Sequence, residues 1–181
     1  MNNDFSVFPV LETSRLIMRK VDMADLDEIL FLRSDKHVLE FINKPPATRE
    51  DAEMFIEKIT NQEKKGESVT WAMVIKGEPK LIGTICLWNL DPATGKAEVG
   101  YGMHPDYYGR GLMNEAMAAV IAYGFGPMQA KIIEAYTHRD NIRSRNLLER
   151  HSFTRDAALE NEKVGKEEPE TAVIYSLIQT A

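Results

Sequence analysis

The feature that most limits the fold of this chain is a change of hydrophobic period about a third of the way along it. Residues 69–75, 80–88 and 96–104 are three apolar runs of strand length. The two segments that join them are short and contain Gly, Pro and Asp, the residues that favour turns. Such connections can link antiparallel strands but are too short for the crossover that parallel strands require. The middle of the chain is therefore predicted to form an antiparallel meander.

Helices and further strands are predicted on both sides of this meander. Two helices should precede it, opened by Asp22 with Asp25 and by Thr48 with Asp51, pairs that have the spacing of a capping box. The other predicted elements are a strand at 15–19, helices at 112–123 and 142–150, and strands at 132–137 and 171–178. The acid-rich segment 160–170 is predicted to be a solvated loop. This order predicts a mixed α/β (α+β) fold of three layers, with a mostly antiparallel sheet flanked by helices.

Composition narrows the class of protein. A length of 181 residues suits a single domain over residues 1–181, with a core from about 10 to 178. A net charge of −6 disfavours nucleic acids and anionic membranes as partners. The single cysteine, Cys86, excludes an internal disulfide and favours a reducing compartment. The first residues lack the pattern of a signal peptide. We therefore expect a cytoplasmic protein without a metal, a nucleic-acid partner or a membrane partner.

A glycine-rich turn between the predicted strand at 96–104 and the next helix is the best candidate for a ligand site. Gly109 and Gly111 flank Arg110, so the backbone can approach a ligand closely. The first amides of the following helix point outward, at the positive end of the helix dipole, and Arg110 adds a full charge. This arrangement suits a diphosphate, although a plain helix-initiating turn would look similar. The spacing matches neither a Rossmann fingerprint nor a P-loop.

Several segments resemble one known family. The blocks Glu98–Pro105 and Tyr107–Ala116 resemble the acetyl-coenzyme A signature of the GCN5-related N-acetyltransferases (GNAT), in particular their RimJ/RimL-type branch. Leu11–Leu16, Leu81–Ile85 and Asn141–Arg150 agree with that branch in the same order. The resemblance implies a mixed sheet that is splayed between its fourth and fifth strands, where acetyl-CoA lies. It also implies an N-acetyltransferase, an enzyme that uses acetyl-CoA as co-substrate.

The resemblance further implies which residues bind acetyl-CoA. The backbone of Gly102 and Met103 would pair with the pantetheine arm, and Asn141 would bind the pantetheine or its cysteamine end. Ser144 would lie near the thioester sulfur. The diphosphate would be held by the amides of Tyr108, Gly109, Arg110, Gly111, Leu112 and Met113. Asn141 could instead be only a helix cap, and Ser144 only a surface hydroxyl.

Acetylation of an amine also needs a base, because an amine attacks only when it is unprotonated and its pKa lies near 8 or 10. Glu98 is the best candidate, since strand alternation places it on the same face as Gly100 and Gly102. Burial would raise its pKa toward the working pH. The alternative is a carboxylate held in a cross-strand salt bridge. Ser144 would donate a hydrogen bond to the departing sulfur, or act as an acid.

Several residues depart from the family pattern or offer other roles. Leu148 occupies the position where many acetyltransferases of the superfamily place a tyrosine acid, so that mechanism is excluded here. Glu160 and Glu162 correspond only poorly to the carboxylate that some relatives use as base. His104 and His138 could relay protons but are expected to be packed or surface residues. The aromatic residues Trp71, Trp88 and Tyr136 are predicted to belong to the core.

The identity of the acceptor amine stays open at this stage. The RimJ/RimL resemblance implies the α-amino group of a protein, such as a ribosomal protein, but the branch also acetylates antibiotics, amino acids and polyamines. Residues 35–46 and the second helix should form the acceptor wall. A non-catalytic acetyl-CoA sensor and a purely structural domain are the alternatives from other functional classes. A homodimer is expected only because relatives often dimerise.

Overall fold

The computed structural model of the protein describes residues 1–179 as a mixed α/β fold with five α-helices and one eight-stranded sheet. The strands are β1 (Leu11–Glu12), β2 (Leu16–Lys20), β3 (Val69–Ile75), β4 (Leu81–Asp91), β5 (Lys96–Met103), β6 (Ile132–His138), β7 (Thr154–Arg155) and β8 (Ala172–Ile178). The helices are α1 (Leu26–Ser34), α2 (Arg49–Lys64), α3 (Leu112–Phe125), α4 (Ile142–Arg150) and α5 (Ala157–Lys163). Within these residues no helix is long and apolar enough to cross a bilayer.

The sheet has the strand order β1-β2-β3-β4-β5-β6-β8-β7, and every neighbouring pair except β5 and β6 is antiparallel. The meander of β3, β4 and β5 confirms the prediction made from the short turns. The parallel pairing of β5 with β6 is limited to Lys96↔Ile132, Ala97↔Ile133 and Glu98↔Glu134. Beyond Glu98 the two strands separate. These are the fourth and fifth strands of the predicted order, so the expected splay is present.

Local sequence signals position the helices on the sheet. Thr48 and Asp51 form the predicted capping box at the start of α2. Asp22 and Asp25 form a second capping box, but it opens a short 3-10 helix at Met23–Asp25 that leads into α1. Gly111 lies directly before α3, and the side chain of Asn141 caps α4.

Two hydrophobic clusters lie on opposite faces of the sheet, as strand alternation requires. Trp71 and Met73 of β3 belong to the larger cluster, which includes α3 and Leu148 of α4. Ala72, which lies between them in the chain, belongs to the smaller cluster with α1 and α2. The sheet is therefore the middle layer of three, as predicted.

The structure corrects the prediction for the acid-rich segment 160–170. Its first part belongs to α5, which Asp156 caps by accepting a hydrogen bond from the Leu159 N–H. Glu160 accepts hydrogen bonds from the Arg155 side chain and from the Ile174 N–H at 3.0 Å. The sequence pattern predicts a solvated loop because a run of acidic residues does not reveal these hydrogen-bond partners, one of which is 14 residues away. The strands β1 and β7, of two residues each, were also not predicted.

Candidate active site

The splay between β5 and β6 opens into a cavity of about 780 Å³. Residues of β5, α3, β6 and α4 line it, together with residues 37–44. Most of the predicted site residues share this cavity: Glu98, Gly102, Met103, Tyr108, Gly109, Gly111, Leu112, Met113, Asn141 and Ser144. Arg110 is not among the lining residues. Its guanidinium lies 5.2 Å from the centre of the Tyr107 ring, on the exposed side of the turn.

The glycine-rich turn has a backbone conformation that depends on its two glycines. Gly109 and Gly111 both have φ near +75°, a region that side chains other than glycine rarely adopt. Gly111 ends directly at α3, whose first amides have no carbonyl partner within the helix. The Tyr108 N–H, predicted to bind the diphosphate, already donates to the Pro105 carbonyl oxygen at 3.0 Å. Among the described residues the turn therefore offers its free N–H donors from Gly109 onward, at a positive helix end, which is the arrangement that binds phosphate groups.

A cluster of side chains holds this turn from behind. The Glu115 carboxylate, in the first turn of α3, accepts hydrogen bonds from the side chains of Thr13 (3.0 Å), Ser14 and Arg15 (3.2 Å). Arg15 also donates to the Arg110 carbonyl oxygen at 2.9 Å. Burial acts to raise the pKa of Glu115, but the hydrogen bonds outweigh it and the pKa is lowered. This Glu115 cluster joins the β1–β2 turn to the glycine turn. Residues 11–16 match the family motif, but nothing in that motif indicates this contact.

Glu98 lies at the point where β5 and β6 separate. It is paired in register with Trp88 of β4 and Glu134 of β6, so these side chains lie on one face of the sheet. Burial raises the pKa of Glu98 from 4.5 to about 7, and the neighbouring carboxylates of Glu168 and Glu134 add to the effect. The cross-strand ion pair at this position is made by Lys96 and Glu134, at 3.1 Å, rather than by Glu98. Glu98 is therefore a carboxyl with a raised pKa at the point where the two strands separate.

Ser144 is a buried hydroxyl on α4 and not a surface one. Its Oγ lies 2.8 Å from the phenol oxygen of Tyr101, a β5 residue that also lines the cavity. Its N–H donates to Asn141 Oδ1 at 3.1 Å, so Asn141 is a helix cap and a cavity residue together. Alternation along β5 places Tyr101 and Glu98 on opposite faces of the sheet. Glu98 therefore borders the cavity from one face of the sheet, and the Tyr101–Ser144 pair borders it from the other.

The structure revises the predicted roles of the aromatic residues. Trp71 is fully buried, as predicted. Trp88 is 44% exposed and Tyr136 is partly buried, and both line the cavity instead of the core. Their apolar neighbours in sequence suggested a core position, but the splay leaves one face of the sheet open here. Tyr136 donates a hydrogen bond to Glu134 at 3.0 Å and accepts one from Lys163 at 2.8 Å.

The other candidate groups have structural partners. His104 stacks on Phe31 with ring centres 4.1 Å apart, and its Nδ1 accepts from the Asp106 N–H. Glu160 is held by Arg155, and that hydrogen bond lowers its pKa, which disfavours a role as base near neutral pH. His138 lines the cavity, and its Nδ1 accepts from the Asp140 N–H at 3.2 Å.

The arrangement fits an extended ligand that carries amide groups and ends in a diphosphate. Among the described residues the edge of β5 beyond Glu98 has no strand partner on the β6 side, so the backbone of Met103 can pair with ligand amides there. The predicted backbone role of Gly102 is not supported. His104 donates its N–H to Ile82 of β4 at 2.8 Å, and alternation along the strand therefore turns the Gly102 backbone groups toward Thr84 of β4. The glycine turn can bind the diphosphate, and Ser144 and Glu98 line the same cavity. Acetyl-CoA has these chemical features, and the residues present are suited to bind it.

Comparison with known proteins agrees with this fit. The chain matches the model of the acetyltransferase (GNAT) domain over residues 15–154. It is 29% identical over 170 residues to a Bacillus licheniformis protein named as the uncharacterized N-acetyltransferase p20, covering 93% of this chain and 96% of the relative. A GNAT family acetyltransferase from Bacillus anthracis is similar in structure, with a TM-score of 0.77, 23% identity and coverage of 94% and 98%. The acetyltransferase RimL, solved in complex with coenzyme A, has a TM-score of 0.79 at 15% identity and coverage of 94% and 98%. Since the matched domain spans most of the sequence, this chain belongs to the GNAT family of acetyltransferases.

Proposed function

We propose that the protein transfers an acetyl group from acetyl-CoA to a primary amine by direct attack of the amine. The observation that carries this proposal is the presence of two groups in one cavity. One is the glycine turn with its free amides, and the other is Glu98, a carboxyl whose pKa burial raises to about 7. The first suits the diphosphate of the donor, and the second suits removal of a proton from an amine near neutral pH.

The proposed mechanism assigns a role to each group of this site. Acetyl-CoA supplies an activated acetyl thioester. Glu98, alone or through a water, accepts the proton that the attacking amine must lose. Ser144 donates a hydrogen bond to the sulfur as negative charge develops there. A backbone N–H on β5 near Gly102 polarises the carbonyl, as a single oxyanion donor.

For the acceptor, we propose the α-amino group of a protein or peptide. Among the lining residues of the described chain Glu98 is the only carboxylate, and Lys44, Arg143 and Arg150 also line the cavity. Arg143 is paired with Glu40 at 3.2 Å, but Lys44 and Arg150 have no ion pair among residues 1–179. A polyamine or an aminoglycoside carries several positive charges, which these two cations would repel. A peptide amino end carries one positive charge, on the nitrogen that reacts. RimL, which resembles this chain in structure, is described as an acetyltransferase of a ribosomal protein's α-amino group.

The test is thiol release from acetyl-CoA with ribosomal-protein N-terminal peptides, polyamines, amino acids and aminoglycosides as acceptors. The matched control acceptor is each peptide with its α-amine already acetylated. We expect turnover of free peptides, none of blocked ones, and modification of the α-amine by mass spectrometry. Preference for a polyamine or aminoglycoside would contradict the proposed acceptor. Calorimetric binding of acetyl-CoA without any turnover would support the sensor reading instead.

A further inference from the structure

Two hydroxyl groups meet beneath the cavity, and neither has another partner within residues 1–179. The phenol oxygen of Tyr101 and the Oγ of Ser144 are 2.8 Å apart, and both residues line the cavity. Tyr101 lies on β5 and Ser144 lies in the first turn of α4. The contact therefore joins the strand that borders the splay to the helix on its other side.

The number of protons determines what this contact can do. Each hydroxyl carries one proton, and only one of the two protons can lie between the oxygens. A phenol is a stronger acid than an aliphatic alcohol and is therefore the better donor. With the Tyr101 proton on Ser144 Oγ, the proton of Ser144 itself is free to point elsewhere. No other protein group among residues 1–179 accepts this proton, so Ser144 can donate it to a ligand in the cavity.

The Ser144 hydroxyl is not needed as a helix cap. A serine in the first turn of a helix commonly bonds to nearby backbone groups and acts as a cap. Here the cap is already made by Asn141, whose Oδ1 accepts from the Ser144 N–H at 3.1 Å. The Ser144 hydroxyl is thus left to Tyr101 on one side and to the cavity on the other.

We propose that Tyr101 is a positioning residue for acetyl transfer, which orients Ser144 by donating its phenol proton to the Ser144 oxygen. This inference rests on the proposed function. In the step itself the carbon–sulfur bond breaks and its electron pair goes to sulfur, which accepts a hydrogen bond from Ser144. The proton that sulfur finally takes balances the one that the amine loses to Glu98. Tyr101 keeps its proton throughout, since burial raises its pKa to about 12, far above that of a thiol.

The test uses Tyr101→Phe, Ser144→Ala and the double variant. Tyr123→Phe is the matched control, because it deletes a half-buried phenol on α3 that does not line the cavity. The first readout is binding, not turnover. Calorimetry gives the affinities of coenzyme A, which has a free thiol, and of acetyl-CoA, which has none, at pH 7 and pH 9.5. The ratio of the two affinities isolates the gain from the thiolate, because other effects of pH act on both ligands.

In the parent protein we expect coenzyme A to gain affinity over acetyl-CoA as its thiol ionises, because Ser144 donates to the thiolate. Tyr101→Phe should reduce this gain by about 5- to 10-fold, the effect of one hydrogen bond. Its kcat should fall by about 10-fold with an unchanged KM for acetyl-CoA. Ser144→Ala should lose more, and the double variant should match Ser144→Ala, because Tyr101 acts through Ser144.

Two results would overturn the proposal. If Tyr101→Phe keeps both the affinity ratio and the kcat of the parent, the contact only packs the strand against the helix. If the losses of the single variants add in the double variant, Tyr101 acts on the sulfur independently. Absence of turnover by the parent with every amine would contradict the proposed function, whereas the calorimetric ratio would still test the role of Tyr101.

Discussion

Replacing Glu98 by glutamine should make the protein more stable and less active, and the gain in stability should depend on pH. Burial raises the pKa of Glu98 from 4.5 to about 7 in the folded state. At roughly 1.4 kcal/mol per pKa unit, this difference corresponds to at most about 3 kcal/mol of unfolding free energy. Between those two pH values the folded state binds more protons than the unfolded state. The contribution of Glu98 to stability therefore becomes unfavourable as the pH rises from 4.5 to 7, and stays so above 7.

Glutamine has nearly the same shape but no charge to bury. We expect Glu98→Gln to match the parent in urea unfolding near pH 4.5 and to be up to about 3 kcal/mol more stable at pH 8. Its kcat at pH 8 should fall by about 100-fold or more, with little change in acetyl-CoA affinity. The acidic limb of the parent's pH–rate profile, near pH 7, should disappear. Glu57→Gln, which removes an exposed carboxylate of α2, is the matched control.

Two outcomes would refute this reasoning. A difference in unfolding free energy that is the same at pH 4.5 and pH 8 would mean that the Glu98 charge is not penalised by burial. A Glu98→Gln variant with the parent's rate and pH profile would mean that another group takes the proton of the amine. The first outcome concerns the electrostatics of the splay, and the second concerns the assignment of the base.

Three further predictions concern other parts of the molecule. Gly111→Glu should abolish calorimetric binding of acetyl-CoA, because it places a carboxylate against the diphosphate. The control is Gly77→Glu, in an exposed turn with a similar positive φ, which should bind acetyl-CoA normally. Equal losses of affinity in both variants would point to backbone strain instead. Glu115→Gln should weaken acetyl-CoA binding by about 5-fold, because the Glu115 cluster holds the glycine turn, and unchanged affinity would separate that cluster from the site. Cys86 is only partly buried, but desolvation raises the pKa of its thiol to about 12, so the native protein should be alkylated slowly at pH 8 for lack of thiolate. In urea it should react rapidly, once per chain, and an equally rapid reaction of the native protein would contradict the raised pKa.

The sequence was informative wherever local chemistry decides the structure. Short turns and apolar alternation were sufficient to predict β3 and β5 to within a residue, and the capping box of Thr48 predicted the start of α2. The helix α5 was missed because its stability comes from contacts with Arg155 and with the backbone of β8. An acidic segment is predicted to be solvated when its hydrogen-bond and ion-pair partners are not evident from the sequence.

In the candidate site too, local motifs were predictable and long-range contacts were not. Gly102, Gly111 and Asn141 were found because the family motif covers them, and all three line the cavity. Tyr101 was missed because a tyrosine in a strand has no signal that distinguishes a packing role from a hydroxyl contact with a helix 43 residues away. Trp88 was assigned to the core because its exposure depends on the splay, which alternation along one strand cannot reveal. Side chains that act through long-range contacts are therefore the part that sequence reasoning leaves out.

The early end of the pairing between β5 and β6 also has a consequence for handling the protein. Backbone groups of a strand that lack a partner can pair with any extended chain that reaches them, and such edges promote association between molecules. In this fold the free edge lies at the site where the amide groups of the donor are expected to bind. A ligand seated there would cover the edge, so a preparation saturated with coenzyme A should stay dispersed at concentrations where the ligand-free protein self-associates.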